Sequence, residues 1–301
     1  RKLRYESWHL LHLYAYLGVG LSLPHQLWTG ADFLTSKAAT AYWWGAYLAS
    51  AGALVVYRLG LPVYRTLRHR PFVSRVVREG NGVVSLHIGG RDLHRLPVRA
   101  GQFFVWRFLD GPGKTRGHPF SLSAVPSTDG LRVTVKDLGA GSARLAGLRP
   151  GTRVFLEGPY GRLTDDVRTG RKVTMLASGI GVTPLRALLE DLTFAHGDAS
   201  LIYRASSPAE FLFQPELDEL SRRRGVNLFY VAGKRIPGRD SWLPREAAHL
   251  DDRSALVRLV PDLPQHDVYL CGPEGWLAAA IQAVRSAGVP QNQIHVERFS
   301  W

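Results

Sequence analysis

The stretch Met175-Leu176-Ala177-Ser178-Gly179-Ile180-Gly181-Val182-Thr183-Pro184 joins an apolar run to a glycine turn and then to a helix start. Gly179 and Gly181 allow the backbone to approach a ligand closely, and Thr183 and Pro184 suit the first turn of a helix. A strand before G-x-G and a helix after it are the context that a dinucleotide site requires. The stretch therefore predicts an α/β domain that binds nucleotide phosphates at these four residues.

Strands and helices alternate around this stretch. Segments 172–177, 200–203 and 268–270 have strand character, and helices are expected to follow from Thr183, Pro215 and Glu274. This rhythm predicts a parallel, doubly wound sheet, which binds ligands at the carboxyl ends of its strands. Cys271, Gly272 and Pro273 follow the last of these strands, where a nicotinamide would lie; a plain buried thiol is the alternative for Cys271.

The residues after the second α/β strand bear on the choice of nucleotide. Tyr203-Arg204-Ala205-Ser206-Ser207 lacks the acidic residue that would bind a free ribose 2′-hydroxyl, whereas Arg204 could meet a 2′-phosphate beside Ser206. Arg235 could add charge, although solvated surface charge is its alternative. The segment favours NADPH over NADH.

Short β-branched or aromatic runs at 72–78, 83–88, 102–108, 131–136 and 153–157 precede this domain. Their spacing predicts an antiparallel β-barrel. The segment His118-Pro119-Phe120-Ser121 places a ring beside a hydroxyl, as a flat isoalloxazine requires, although a barrel strand with a turn proline would look the same. Lys136, Gly139, Gly141 and Ser142 belong to a strand-to-helix turn that suits a pyrophosphate, with an ordinary glycine turn as the alternative. The helix is expected to open at Ser142, whose hydroxyl would cap it.

Two uncharged runs of membrane length, residues 7–31 and 38–57, stand at the start of the chain. Two transmembrane helices are expected, the first bent or broken near Pro24, with buried core helices or a secretory signal as alternatives. Basic residues flank both runs on one side, which predicts a multi-pass protein of the cell membrane with its later domains in the cytoplasm.

The composition bears on the binding partners and on the cofactors that this chain can hold. The net charge is +13, yet no nucleic-acid-binding motif occurs, so the excess charge suits anionic lipids or phosphorylated cofactors. A single cysteine rules out an intrachain disulfide and a four-thiolate iron–sulfur cluster within this chain.

Several motifs together resemble the ferredoxin–NADP reductase superfamily, and in particular its ferric reductase/NADPH oxidase branch: HPFS at 118–121, GPYG at 158–161, GIGVTP at 179–184, CGPEG at 271–275 and ERFSW at 297–301. The resemblance implies that His118 stands where many relatives have arginine and that Ser121 lies near flavin N5. It further implies that Trp301 is the terminal aromatic residue over the flavin, and that Glu297 and Phe299 belong to the same site.

The spacing of His12 and His25 also resembles a transmembrane helix of that branch, in which two histidines ligate stacked b-type haems. In an ideal helix these two residues would not share a face, so a kink near Pro24 would be needed. His9 is a rival ligand. The opposing haem ligands would come from further transmembrane helices.

The combined prediction is a transmembrane segment at 1–69, a FAD-binding barrel at 70–165 and a NAD(P)-binding α/β domain at 166–301. Ser121, Cys271 and Trp301 are the predicted catalytic residues. Electrons would pass from NADPH through FAD and haem b to ferric iron, oxygen or a quinone across the lipid bilayer. The alternatives are a haem-free, membrane-anchored reductase that serves a separate oxygenase or ferredoxin, and a non-catalytic assembly subunit.

Overall fold

The computed structural model describes residues 5–31, 36–80, 82–111, 114, 116–137 and 139–299, with the backbone alone for 5–10, 12, 13, 24, 27, 140 and 141. The chain divides into two compact units, Arg1–Leu61 and Pro62–Trp301. This boundary falls before the predicted one at residue 69.

Two helices form the first unit. Helix α1 spans Tyr5–Thr29. It continues through Pro24, so the helix is not broken there. Helix α2 spans Lys37–Val55, and its first turn is capped by the Ser36 hydroxyl, which accepts from the Ala39 amide at 3.1 Å. It continues through a π-helical turn, Val56–Gly60, into α3, Leu61–His69.

One helix among the described residues, Lys37–His69, is long and apolar enough to cross a membrane. Tyr14–Leu23 is a shorter apolar helical stretch. The prediction of two spans is therefore supported for the second run only. The exposed leucines, valines and tyrosines along this helix fit that finding.

The end of this helix packs against the barrel, which explains the early boundary. Arg65 donates to the Gly158 carbonyl, and the Thr66 hydroxyl accepts from the Leu156 amide at 3.4 Å. The buried His69 ring lies 2.8 Å from the Arg91 carbonyl. These bonds tie residues 65–69 to the second unit.

Six strands form the predicted antiparallel barrel: β1 Phe72–Gly80, β2 Val83–Gly89, β3 Phe103–Phe108, β4 His118–Ser121, β5 Leu131–Lys136 and β6 Val154–Tyr160. They pair as two three-stranded sheets, β1-β2-β5 and β4-β3-β6. Isolated bridges, Phe72 to Arg153 and Leu122 to Val133, join the two sheets. In β3 the alternation of the strand turns Phe104, Trp106 and Phe108 into the core, where each is fully buried.

The α/β domain is a five-stranded parallel sheet in the order β11-β10-β7-β8-β9. Its strands are β7 Lys172–Ser178, β8 Ala199–Ala205, β9 Val226–Ala232, β10 His266–Gly272 and β11 Ile294–Arg298. A four-residue helix in the barrel, α4, spans Ala140–Ala143, and the sheet's helices are α5 Val182–Asp191, α6 Gln214–Arg224, α7 Asp252–Leu259 and α8 Glu274–Ser286. The predicted doubly wound pattern is confirmed.

The strand order also locates a ligand crevice. Helices α5 and α6 belong to one apolar cluster and α7 and α8 to another, so both faces of the sheet are covered. The chain passes from β7 outward to β8 and β9 and then returns to β10 on the other side of β7. Open α/β sheets bind ligands at such a reversal, at the carboxyl ends of the strands. Here those ends are Ser178 and Gly272.

Candidate functional site

A cleft lies between the barrel and the carboxyl ends of the parallel sheet. It encloses about 320 Å³ free of atoms, part of it open to solvent. Its lining combines barrel and α/β residues: Pro119, Phe120, Ser121, Thr134, Val135, Lys136, Ile180, Thr183 and Phe299. The structure thus brings together six of the residues that the sequence assigned to two separate cofactors. Thr134, Val135 and Ile180 were not predicted, although Thr134 shares a strand face with Lys136.

Ser121 ends β4 and is nearly buried at the cleft, with 5% of its surface exposed. Its hydroxyl has no hydrogen-bond partner among the residues that the structure describes. Behind it, the hydroxyls of Ser85, Thr134 and Ser123 form a buried chain with 2.8 Å between neighbours. A nearly buried hydroxyl without an internal partner is suited to bond a ligand, because leaving it unpaired is unfavourable.

His118 stacks on Phe120 with its ring centre 5.7 Å away and the planes 9° apart. Burial lowers the pKa of His118, and the charges of Arg116 and Arg144 lower it further. The imidazole is therefore neutral near pH 7 and offers a ligand a hydrogen bond rather than a charge.

The turn after β5 differs in detail from the prediction. Helix α4 begins at Ala140 rather than at Ser142. The Asp137 carboxylate accepts from the Gly139 amide at 3.0 Å and from the Ser142 hydroxyl at 3.2 Å, so Ser142 is not the residue that caps the helix. Gly139 has φ of +147°, which favours glycine, and Gly141 lies within the helix.

The turn between β7 and α5 is compressed against β10. Gly179 has φ of +55°, while Gly181 has an ordinary φ of −61°. A Cβ on Gly181 would lie 2.2 Å from the Cys271 carbonyl oxygen, so only glycine fits. The Thr183 hydroxyl donates to the Ile180 carbonyl at 2.9 Å, and Pro184 is buried in the first turn of α5. The glycine turn predicted as a phosphate cradle therefore has the required strand, turn and helix.

Cys271 is fully buried in the apolar cluster that includes α5. Burial raises the pKa of its thiol well above the usual value, and Glu297 on the paired strand β11 raises it further. A catalytic role of the thiol as a contact to the reacting atoms is therefore not supported by this arrangement. Gly272 packs closely against Trp276 and Ser178, and Pro273 precedes the first turn of α8.

Glu297 is partly buried two residues before Phe299, and burial raises the pKa of its carboxyl group to about 7. A carboxyl with a folded pKa above its unfolded value stabilises the fold at low pH. That contribution is complete below about pH 4.5 and is lost as the pH rises through about 7.

We expect the Glu297→Gln variant to lose part of this pH dependence. Between pH 5 and 8 the unmodified protein should lose up to about 3 kcal/mol more of its unfolding free energy than the variant. Thermal unfolding at pH 5, 6, 7 and 8 measures the difference. Glu274→Gln, which alters an exposed carboxylate at the start of α8, is the control. Parallel pH profiles for the unmodified protein and Glu297→Gln would contradict the assignment.

The Arg204 guanidinium is hydrogen-bonded to the backbone of its own domain. It is nearly buried and donates to the backbone carbonyls of Ala205, Val231 and Lys234, and burial lowers its pKa. It therefore holds the loop after β9 rather than offering a free charge. Ser206 and Arg235 are exposed on the same side of the domain, and Arg235 lies near Gly275 at the start of α8.

Two predicted groups fall partly outside the described residues. Trp301 is outside them, whereas Phe299, two residues earlier, lines the cleft. The side chain of His12 is also outside them, whereas His25 is exposed on α1, with Nδ1 3.3 Å from the Thr29 hydroxyl. No group of three His, Cys, Asp or Glu side chains suited to a metal occurs among the described residues.

Comparison with known proteins agrees with this geometry. Residues 175–282 match the family described as the oxidoreductase NAD-binding domain. Over 211 residues the chain is 30% identical to ferredoxin–NADP reductase B of Sorangium cellulosum, which covers 66% of this chain and 84% of that protein. The chain belongs to the ferredoxin–NADP reductase superfamily. This membership supports the predicted NAD(P)H-dependent oxidoreductase activity.

Other members of the superfamily are partners in oxygenase systems. The chain is 32% identical over 221 residues to the ferredoxin–NAD(+) reductase component of an alkene monooxygenase system of Xanthobacter autotrophicus, covering 71% of this chain and 64% of that protein. It spans 56% of the glycine betaine monooxygenase reductase subunit of Chromohalobacter salexigens. Several curated relatives are therefore longer than the matched region.

A solved structure of the superfamily supports the fold alone. The FAD/NAD-binding domain of nitric oxide dioxygenase from Vibrio cholerae superposes with a TM-score of 0.61 at 23% identity. The match covers 76% of this chain and 98% of that one.

Proposed function

We propose that this chain is a membrane-anchored reductase that passes electrons from NADPH through FAD to a separate acceptor protein, either an oxygenase component or a ferredoxin. The observation that carries the proposal is the single cleft in which barrel residues such as Ser121 meet α/β residues such as Thr183 and Phe299. Relatives named as reductase components of monooxygenase systems support this kind of acceptor.

The barrel residues fit FAD. The unpartnered Ser121 hydroxyl and the flat surfaces of Pro119, Phe120 and Phe299 suit an isoalloxazine, and Lys136 places a positive charge on the same wall. The turn from Gly139 to Ser142, with His118 nearby in the barrel, would hold the pyrophosphate. When bound, FAD accepts an electron pair from NADPH and releases electrons singly to the acceptor.

The chain's own residues bind and orient these groups. Gly181 leaves room for the turn between β7 and α5 to lie against β10, and Ser206 and Arg235 would meet the adenosine 2′-phosphate of NADPH. Ser121 would donate a hydrogen bond to the flavin, and Glu297 can hold a proton near neutral pH close to Phe299. Phe299 lines the cleft and adds a flat aromatic surface there; Trp301 stays the residue expected to cover the flavin.

Membrane anchoring rests on the helix Lys37–His69. A second candidate keeps the same soluble half and adds b-type haem at His12 and His25, as in the ferric reductase/NADPH oxidase branch, with ferric iron, oxygen or a quinone as acceptor. The apolar helix Lys37–His69 supports this candidate, whereas the placement of the two histidines on α1 does not. The 13 residues from His12 to His25 place them about 20 Å apart along α1 and on nearly opposite faces.

One experiment separates these proposals. Membranes that contain the chain are reduced anaerobically with NADPH or NADH while the absorption spectrum is recorded. The proposed function requires bleaching of the flavin near 450 nm, faster with NADPH than with NADH, without the sharp bands of reduced b-type haem. Haem bands would favour the second candidate, and a protein without flavin absorbance would contradict both.

A further inference from the structure

A cluster of charged side chains bridges the barrel and the α/β domain behind the cleft. We call it the Glu216 cluster; it consists of Arg132, Arg186, Glu190 and Glu216. Arg132 on β5 donates through both terminal nitrogens to the two carboxylate oxygens of Glu216 on α6, at 2.8 and 2.9 Å. Arg186 on α5 lies 2.8 Å from the same carboxylate. A bidentate arginine–carboxylate pair fixes both distance and angle.

The cluster also forms hydrogen bonds with the backbone that follows β4. Arg132 and Arg186 donate to the Ser123 carbonyl at 2.8 and 3.2 Å. The Glu190 carboxylate accepts hydrogen bonds from the Arg186 guanidinium at 2.5 Å and from the Val125 amide at 3.2 Å. Bonds therefore cross from the barrel to the α/β domain in both directions, and two positive charges balance two negative ones.

The two arginines of the cluster are shielded from solvent, whereas the side chains of Glu190 and Glu216 are 30% and 36% exposed. The side chains of Arg132 and Arg186 are 12% and 9% exposed. Burial tends to raise the pKa of Glu216, but the hydrogen bonds and charges of Arg132 and Arg186 outweigh it, and the pKa is lowered. The carboxylate therefore stays ionised at neutral pH. Removing one partner from such a set leaves a charge buried without compensation.

Three of the segments that line the cleft carry, within a few residues, a residue that belongs to the cluster or is bonded by it. Ser123 follows Ser121 by two residues, and Arg132 precedes Thr134 by two on β5. Arg186 follows Thr183 by three on α5, close to one helical turn. A shift of the cluster would therefore move both walls of the cleft relative to each other.

We propose that Arg132, Arg186 and Glu216 are positioning residues that set the alignment of the nicotinamide against the flavin. This inference rests on the proposed function, because it concerns the same cleft. Electron-pair transfer between two stacked rings depends steeply on their geometry, so a displacement of about 1 Å can slow the reaction by about two orders of magnitude. Binding of the nucleotide depends on the phosphate turn at Gly179 and Gly181, which the cluster does not touch.

The test compares Glu216→Gln with Glu219→Gln in the full-length, FAD-loaded protein. Glu219 is the matched control, because it lies on the same helix in a surface pair with Arg222 at 2.6 Å, with its side chain 55% exposed. Stopped-flow spectroscopy gives the limiting rate of flavin reduction by NADPH, and titration with NADP⁺ gives its Kd. The long-wavelength charge-transfer absorbance reports how the two rings stack, and hydrogen exchange reports the Val125 amide without any turnover.

We expect Glu216→Gln to slow flavin reduction at least tenfold and to weaken the charge-transfer band. The Kd for NADP⁺ should change less than threefold, the Val125 amide should exchange faster, and Glu219→Gln should match the unmodified protein. Arg132→Lys keeps the charge but loses the bidentate hydrogen bond, so it should also slow flavin reduction while leaving the Kd for NADP⁺ nearly unchanged. This variant replaces Glu216→Gln if Glu216→Gln does not load FAD.

Flavin reduction within twofold of the unmodified protein, with an intact charge-transfer band, would overturn the inference while leaving the proposed function in place. Equal losses in rate and in NADP⁺ affinity would also overturn it, since that pattern indicates general disruption. If the unmodified FAD-loaded protein showed no flavin reduction by NADPH, the proposed function would fall, and the inference with it.

Discussion

Replacing Gly181 with alanine is expected to weaken NADPH binding at least about 100-fold, or about 2.7 kcal/mol. The reason is steric, because the new Cβ would lie 2.2 Å from the Cys271 carbonyl oxygen and 2.8 Å from the Gly272 amide nitrogen. Both are backbone atoms of β10 and cannot rotate away. The turn must therefore move off the sheet and take the phosphate-binding amides with it. Titration of the flavin spectrum with NADP⁺ measures the loss.

The same substitution should also destabilise the fold. Overpacking a tight interior costs up to about 3 kcal/mol, which corresponds to a fall in Tm of about 6–12 °C for a unit of this size. Gly197→Asn is the matched control, because Gly197 precedes β8 at the opposite edge of the sheet, has open space around its Cα, and has a positive φ of +87° that asparagine tolerates. Binding by Gly181→Ala within threefold of the unmodified protein would show that this turn is not the nucleotide cradle.

Periodic features of the chain were predictable because they are local. Phe104, Trp106 and Phe108 occupy alternate positions of β3, so their burial could be predicted from that strand alone. The strand, turn and helix around Gly179 and Gly181 are likewise consecutive in the sequence. The carboxyl-end crevice then followed from the rhythm of strands and helices. Boundaries were less predictable: α3 joins the barrel through Arg65 and Thr66, a contact made across about 90 residues.

The roles of several single residues depend on tertiary contacts that spacing does not encode. Arg204 was a reasonable phosphate ligand from its position, yet its guanidinium is bound by the carbonyls of Val231 and Lys234. Cys271 lies one residue before the end of β10, but the alternation of the strand turns its side chain into the apolar cluster that includes α5. In each case the sequence placed the residue correctly near the carboxyl end of a strand. It gave no information on the direction of the side chain.

The Glu216 cluster shows the same limit more strongly. Arg132 and Glu216 lie 84 residues apart in domains of different architecture. Each alone is an ordinary charged residue on a strand or a helix. Their ion pair forms only because the barrel and the sheet meet at the cleft, so it could be identified only from the structure.

Ser121→Ala is expected to slow flavin reduction by NADPH about 10- to 100-fold, equivalent to about 1.4–2.7 kcal/mol of activation free energy. The hydroxyl is nearly buried at the cleft and bonds to none of the described residues, so its hydrogen-bonding capacity is available to the flavin. For the same reason its loss should leave the flavin-free protein almost as stable as before, with Tm within about 2 °C. Stopped-flow reduction and thermal unfolding measure the two effects separately.

Ser85→Ala is expected to show the opposite pattern, a loss of stability with little change in the rate of flavin reduction. The Ser85 hydroxyl is fully buried and bonds to Thr134 at 2.8 Å without lining the cleft. Its loss should cost about 1 kcal/mol of stability, or about 2–4 °C in Tm, while flavin reduction stays within about twofold. If both serine variants lost stability and rate in the same proportion, Ser121 would be a packing residue, and the barrel wall of the cleft would contribute shape without a directed hydrogen bond.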